Sequence, residues 1–149
     1  MSATLTYLGH SAFHITAGEH RVLIDPFLTG NTLAEKAGIK PDDFDPTHIL
    51  LTHGHDDHTG AAPAIANFEV CQWFATKHNH DNINPGNPGG RVPTSFGSVD
   101  FTHAIHSSST GDGSYMGVAC GLVINIASTT IYHAGDTALF SDMKLIGQL

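Results

Sequence analysis

The segment His53-Gly54-His55-Asp56-Asp57-His58 places five potential metal ligands or acids within six residues. Two imidazoles at i and i+2 can converge on one ion, and Asp57 with His58 can address a neighbouring one, so the segment reads as a binuclear metal site. Neutral imidazole and carboxylate suit zinc, iron and manganese alike, which leaves the metal open. The competing reading is a solvated polar turn. Four such groups directly after an apolar run would be costly to leave unpaired, which weighs against it.

The elements that must position these residues are legible around them. Residues 48–52 form an apolar run that reads as a buried strand, and residues 59–66 read as the start of a helix, so the motif sits on a strand-to-helix loop where Gly54 permits a tight turn. Two more strands release candidate ligands in the same way: residues 101–105 lead to His106, and residues 130–133 lead to Asp136. Upstream, residues 5–8, 12–16 and 21–25 read as a β-meander. A short helix over 32–37 ends at Gly38, and 41–46 is rich in turn residues. Residues 70–75 read as a further strand, and 82–91 as a loop without hydrophobic period, placed over the mouth of the site. Strands then recur over 98–105, 119–126 and 129–133. No repeat or linker divides the chain, so residues 1–149 read as one domain.

Composition narrows the class. A 149-residue chain with 40% hydrophobic residues can bury one core. Its twelve histidines outnumber its six lysines and arginines, and the formal net charge of −8 argues against nucleic acid, which needs clustered basic side chains. No basic segment precedes an apolar stretch at the N-terminus, and no run approaches the roughly 20 apolar residues of a membrane span. Cys71 and Cys120 lie in apolar surroundings and read as buried thiols rather than a disulfide. The expectation is a cytoplasmic protein with a small-molecule substrate, no nucleic-acid or membrane partner, and an open question of homo-oligomerisation.

The H-x-H-x-D-H pattern resembles the metallo-β-lactamase superfamily of metal-dependent hydrolases. Beyond it, Leu5-Thr6-Tyr7-Leu8-Gly9-His10-Ser11-Ala12-Phe13, the stretch from Leu23 to Asn31, His106-Ser107-Ser108-Ser109 and Ile131-Tyr132-His133-Ala134-Gly135-Asp136-Thr137 are similar to a bacterial group of metal-dependent hydrolases (UPF0173-like) near the ascorbate-phosphate lactonases. The resemblance implies an α/β fold, an αββα sandwich of metallo-β-lactamase type. It also implies two divalent metal ions, zinc first with iron or manganese open. His53, His55 and His106 would hold the first ion, and Asp57, His58 and Asp136 the second, with Asp136 bridging both. A metal-activated hydroxide would attack an ester, lactone or phosphoester bond of a small anionic substrate, with Asp57 orienting it and carrying a proton to the leaving group.

One departure from the family pattern stands out: no histidine follows His133, so the second site lacks one family ligand. Ser141 and Asp142 read as helix-start residues, and the apolar pattern Met143, Ile146, Leu149 stops without a terminating signal. The domain is therefore expected to be an incomplete one whose C-terminal portion is truncated. Loss of that portion would expose an apolar face over residues 121–126 and an unpaired sheet edge. The alternative functions are a metal-binding remnant without turnover and, less favoured, an RNA phosphodiesterase.

Other residues carry blander readings. Asp25 supports a ligand histidine rather than touching metal, and His10 is either structural or a contact of substrate or ligand. His78-Asn79-His80-Asp81 reads as a surface loop despite its H-x-H, and Trp73 and Phe74 as core or pocket wall. Ser107 to Ser109 lack a nucleophile elbow and read as a polar loop orienting His106.

Overall fold

The computed structural model describes residues 2–59 and 65–149. Among the described residues, ten strands form two sheets. The first runs β1 (Thr4–Gly9), β2 (Ala12–Ala17), β3 (His20–Ile24), β4 (His48–Leu50), β5 (Ile65–Asn67), β6 (Asn84–Gly86) in that spatial order. The first three pair antiparallel through short turns, and β3 to β6 pair parallel. The second sheet has the order β10 (Thr129–His133), β9 (Cys120–Ile126), β8 (Gly97–His103), β7 (Arg91–Thr94) and is antiparallel throughout.

Alternation along the strands creates two cores. Ile15, Val22, Ile24, Leu50 and Ile65 from the first sheet meet Val99, Phe101, Leu122, Ile124 and Ile126 from the second, so the sheets pack face to face. The opposite face of the first sheet presents Leu23, Ile49, Leu51 and Ala66 to α1 (Thr32–Lys36) and α2 (Phe68–His78), which contribute Ala34, Val70, Cys71 and Phe74. Two sheets face to face, with helices on the outer face of the first, agree with the sandwich expected from the resemblance. Among the described residues, no helix is long and apolar enough to cross a membrane.

Several expectations change. Residues 70–75 are helical: Asn67 caps α2 by accepting from the Val70 amide at 2.8 Å, and Val70, Cys71 and Phe74 form one buried helical face. Residues 82–91 are not a structureless loop. Their first part forms β6, a proline-bearing strand at the sheet edge, where a missing amide costs no ladder bond. The helix start expected over 59–66 lies mostly outside the described residues, although residues 65–67 are strand. Nor does β9 expose an apolar face. Leu122, Ile124 and Ile126 point into the core, and on the other face Asn125 donates to Ser98 Oγ and to Asp100, which also pairs with Arg91. The closing α3 (Met143–Ile146) buries no residue.

Candidate metal centre

The parallel strands β3 and β4 end side by side, and their ends are joined by Asp25. Fully buried, with φ at +43°, its carboxylate accepts from the Thr52 amide at 2.9 Å, the Thr52 hydroxyl at 2.8 Å and His58 Nδ1 at 2.9 Å. These bonds set the tautomers of the two buried imidazoles. His58 spends its Nδ1 proton on Asp25, which leaves the Nε2 lone pair free. The Thr52 hydroxyl proton goes to Asp25, so the Thr52 oxygen accepts from His53 Nδ1 at 3.0 Å and the His53 Nε2 lone pair is also presented.

His106 follows the same rule from the second sheet. Its Nδ1 donates to the Ser107 carbonyl at 2.9 Å, and Nε2 lies 3.9 Å from Asp136 Oδ2. His55 Nδ1 shares a hydrogen bond of 2.9 Å with His53 Nε2, and its own Nε2 lies 3.4 Å from Ser107 Oγ. The rings of His53, His55 and His106 stand 4.6 to 5.2 Å apart between centroids. These three histidines each offer a ligand atom within 4.8 Å of the others'. A second group, His53, His58 and Asp136, meets the same limit, and a third is His10, Asp57 and His58.

All six sequence-derived site residues therefore gather at one place, with one adjustment. Asp57 and Asp136 each group with His58 but not together, so His58 is the hinge between them. Asp136 lies between both sets, 3.6 Å from His58 Nε2 through Oδ1 and 3.9 Å from His106 through Oδ2. Asp57, half-exposed, sits 3.1 Å from His10 Nε2.

Electrostatics prepare these groups for a cation. Burial, reinforced by His58, pushes the His53 pKa down to about 4, so its imidazole is neutral at pH 7. Burial also opposes charge on His58, but the hydrogen bond and charge of Asp25, with Asp136 and Asp57, outweigh it and raise the pKa. Burial would raise the Asp57 carboxyl too, yet His58, its own amide and His10 hold it below the usual carboxylate value. The buried Nε2 of His58 has no hydrogen-bond partner and faces Asp136. A buried polar atom without a partner, in a nest of carboxylates and imidazole lone pairs, fits a divalent metal.

Three supports escape a reading of the chain alone. The Ser108 hydroxyl accepts from the Gly54 amide at 3.1 Å and donates to the Met116 carbonyl at 3.0 Å, tying the motif loop to the His106 loop. Gly54 is obligatory there, because a Cβ would overlap Met116. His133 accepts from the Gly135 amide at 3.2 Å and donates to the Ser11 carbonyl at 3.0 Å, holding the turn that carries Asp136. The serine loop thus does orient His106, through the Ser107 backbone. His78-Asn79-His80-Asp81 forms no part of the cluster: His78 ends α2, and Asn79 caps it in a left-handed conformation. Phe74 is core, and Trp73 packs against it.

Comparison with known proteins agrees with this fold. Residues 4–149 match the β-lactamase superfamily domain family. A UPF0173 metal-dependent hydrolase of Methylocella silvestris is 44% identical over 97% of this chain and 67% of its own length. The UPF0173 metal-dependent hydrolase YtkL of Bacillus subtilis is 42% identical over 97% and 68%. Among solved structures, Igni18, a metallo hydrolase of the archaeon Ignicoccus hospitalis, superposes with a TM-score of 0.74 at 30% identity, covering 99% of this chain and 67% of that one. The chain spans about two thirds of the length of these relatives. With its histidine- and aspartate-bearing loops on this sandwich, the chain belongs to the metallo-β-lactamase superfamily, among the UPF0173 metal-dependent hydrolases.

Proposed function

We propose that this centre binds two divalent ions, zinc first with iron or manganese as alternatives, and hydrolyses an ester, lactone or phosphoester bond of a small anionic molecule. The observation that carries the reading is the orphaned Nε2 of His58, buried between Asp136 and the His53 imidazole. Bound divalent metal would polarise the substrate oxygen and lower the pKa of a coordinated water. His53, His55 and His106 would hold one ion, His58 and Asp57 the other, and Asp136 would reach both.

The chain's own residues do the rest. Asp25 keeps His58 in the ligating tautomer, and Thr52 does the same for His53. The Asp57 carboxylate stays ionised, so it can accept a proton from water and deliver it to the leaving group. A cavity of about 500 Å³ opens beside His106, lined by Ser107, Ser109 and Tyr115, and its hydroxyls suit an oxygen-rich small molecule. Six lysines and arginines in the whole chain speak against an RNA substrate. Two buried free thiols fit a reducing compartment such as the cytoplasm.

The test is elemental analysis after mild dialysis, followed by turnover of a panel of lactones, carboxylic esters and phosphodiesters. Metal retention with hydrolysis of one class supports the reading. Failure to take up zinc, iron, manganese, nickel or cobalt would sink it, and metal without turnover would mark the chain as a binding remnant.

A further inference from the structure

The turn between β1 and β2 presents a residue outside the ligand motif. Gly9 has φ at +105° and His10 at +54°, after a register shift between Tyr7 and Gly9. A left-handed non-glycine residue persists only where its surroundings hold it. Here they do: the Tyr7 hydroxyl donates to the His10 carbonyl at 3.0 Å, and Gly9 lies so close to Leu33 and Asn31 that no side chain fits. The imidazole that results stands edge-on to Phe27 and to His58, with centroids 5.9 and 5.2 Å away, and its Nε2 lies 3.1 Å from Asp57.

A histidine beside an aspartate is by itself an ordinary surface pair. Two independent observations make it more. His10, Asp57 and His58 each offer a ligand atom within 4.8 Å of the others', and the one His58 nitrogen without a hydrogen bond is the fully buried Nε2. We propose that His10 is a ligand of the second ion, completing with Asp57, His58 and Asp136 a set of two imidazoles and two carboxylates. That set suits four-coordinate zinc. The assignment rests on the two-ion reading above and adds to it a ligand from the N-terminal turn, outside the motif and the two later loops.

The experiment uses the 149-residue chain, stripped with chelator and titrated with zinc by calorimetry and with cobalt by visible absorption. His10→Asn is the principal variant, because asparagine tolerates the left-handed backbone. The parent should bind two ions. The variant should keep the first affinity and lose at least about tenfold in the second. Nitrogen-15 spectra of the parent add a reading that needs no substitution: the His10 Nε2 resonance should move with the second equivalent of zinc and not the first. A parent that binds two ions while the variant keeps both affinities, or a His10 resonance that ignores zinc, overturns the assignment and leaves the two-ion reading standing. A parent that binds one ion overturns the assignment together with the two-ion count, and one that binds none removes the metal centre altogether.

Discussion

Asp25 does its work without touching the reacting centre. Three donors converge on one buried carboxylate, so its replacement is felt by both strand ends and by His58 at once. Asp25→Asn keeps the volume but turns an N–H toward at least one of those donors. We expect a loss of about 1–3 kcal/mol in urea denaturation, with weaker metal uptake as His58 loses its anchored tautomer. An unchanged midpoint would refute the role given to this carboxylate. Asp57 behaves differently because it is half-exposed and pairs with His10 rather than with the buried network around Asp25. Asp57→Asn should leave the fold and the three-imidazole group intact while lowering hydrolysis by more than tenfold in a full-length relative carrying the same motif. Steady-state rates on that relative decide it, and turnover above a tenth of the parent rate shows Asp57 to be dispensable.

Among the elements, the motif loop is the one most dependent on its neighbours. It passes over the Met116 side chain, and only hydrogen at Gly54 allows that approach. Gly54→Ala should cost about 1–3 kcal/mol through overpacking and should shift His53 and His55 apart, lowering first-ion affinity. Thermal melts and zinc titration of the variant measure both effects. Helix α2 contributes through its cap: Asn67 Nδ2 donates to the Met116 and Val118 carbonyls at 2.8 Å each, while its Oδ1 caps the helix. Asn67→Ala should therefore cost more than the roughly 1 kcal/mol of an ordinary lost cap. A urea midpoint shift within the range of a simple cap would show that the two loop bonds contribute nothing.

For the whole molecule, the two cores on either side of the first sheet keep both thiols out of water. Burial lifts the Cys71 pKa to about 11, and burial with the nearby Glu69 charge lifts Cys120 to about 12. In the unfolded chain both return to about 9. Below that pH the folded and unfolded states hold the same protons and the contribution to stability is full. Above it the unfolded chain releases protons that the folded chain keeps, so stability falls as pH rises from about 9 toward 11. A disulfide reagent at pH 8 should label neither cysteine in the native protein and both in urea, and rapid native labelling would contradict the packing described.

Local spacing was enough to mark the candidate residues of the motif loop, because so many imidazoles and carboxylates directly after an apolar strand are costly to leave unpaired. Strand alternation likewise foretold most of both sheets. It misread residues 70–75, since a short apolar run suits a strand or a buried helix equally and only the Asn67 cap and the packing against Leu51 and Ala66 chose the helix. It missed β6, whose pairing uses backbone groups and needs no hydrophobic period. The tertiary structure alone decided that the histidine Asp25 supports is His58, that Ser108 holds Gly54, and that His10 meets Asp57. Those partners lie 33, 54 and 47 residues apart, and contacts at such separations are fixed by how the strands register and the sheets pack, not by any local pattern in the chain.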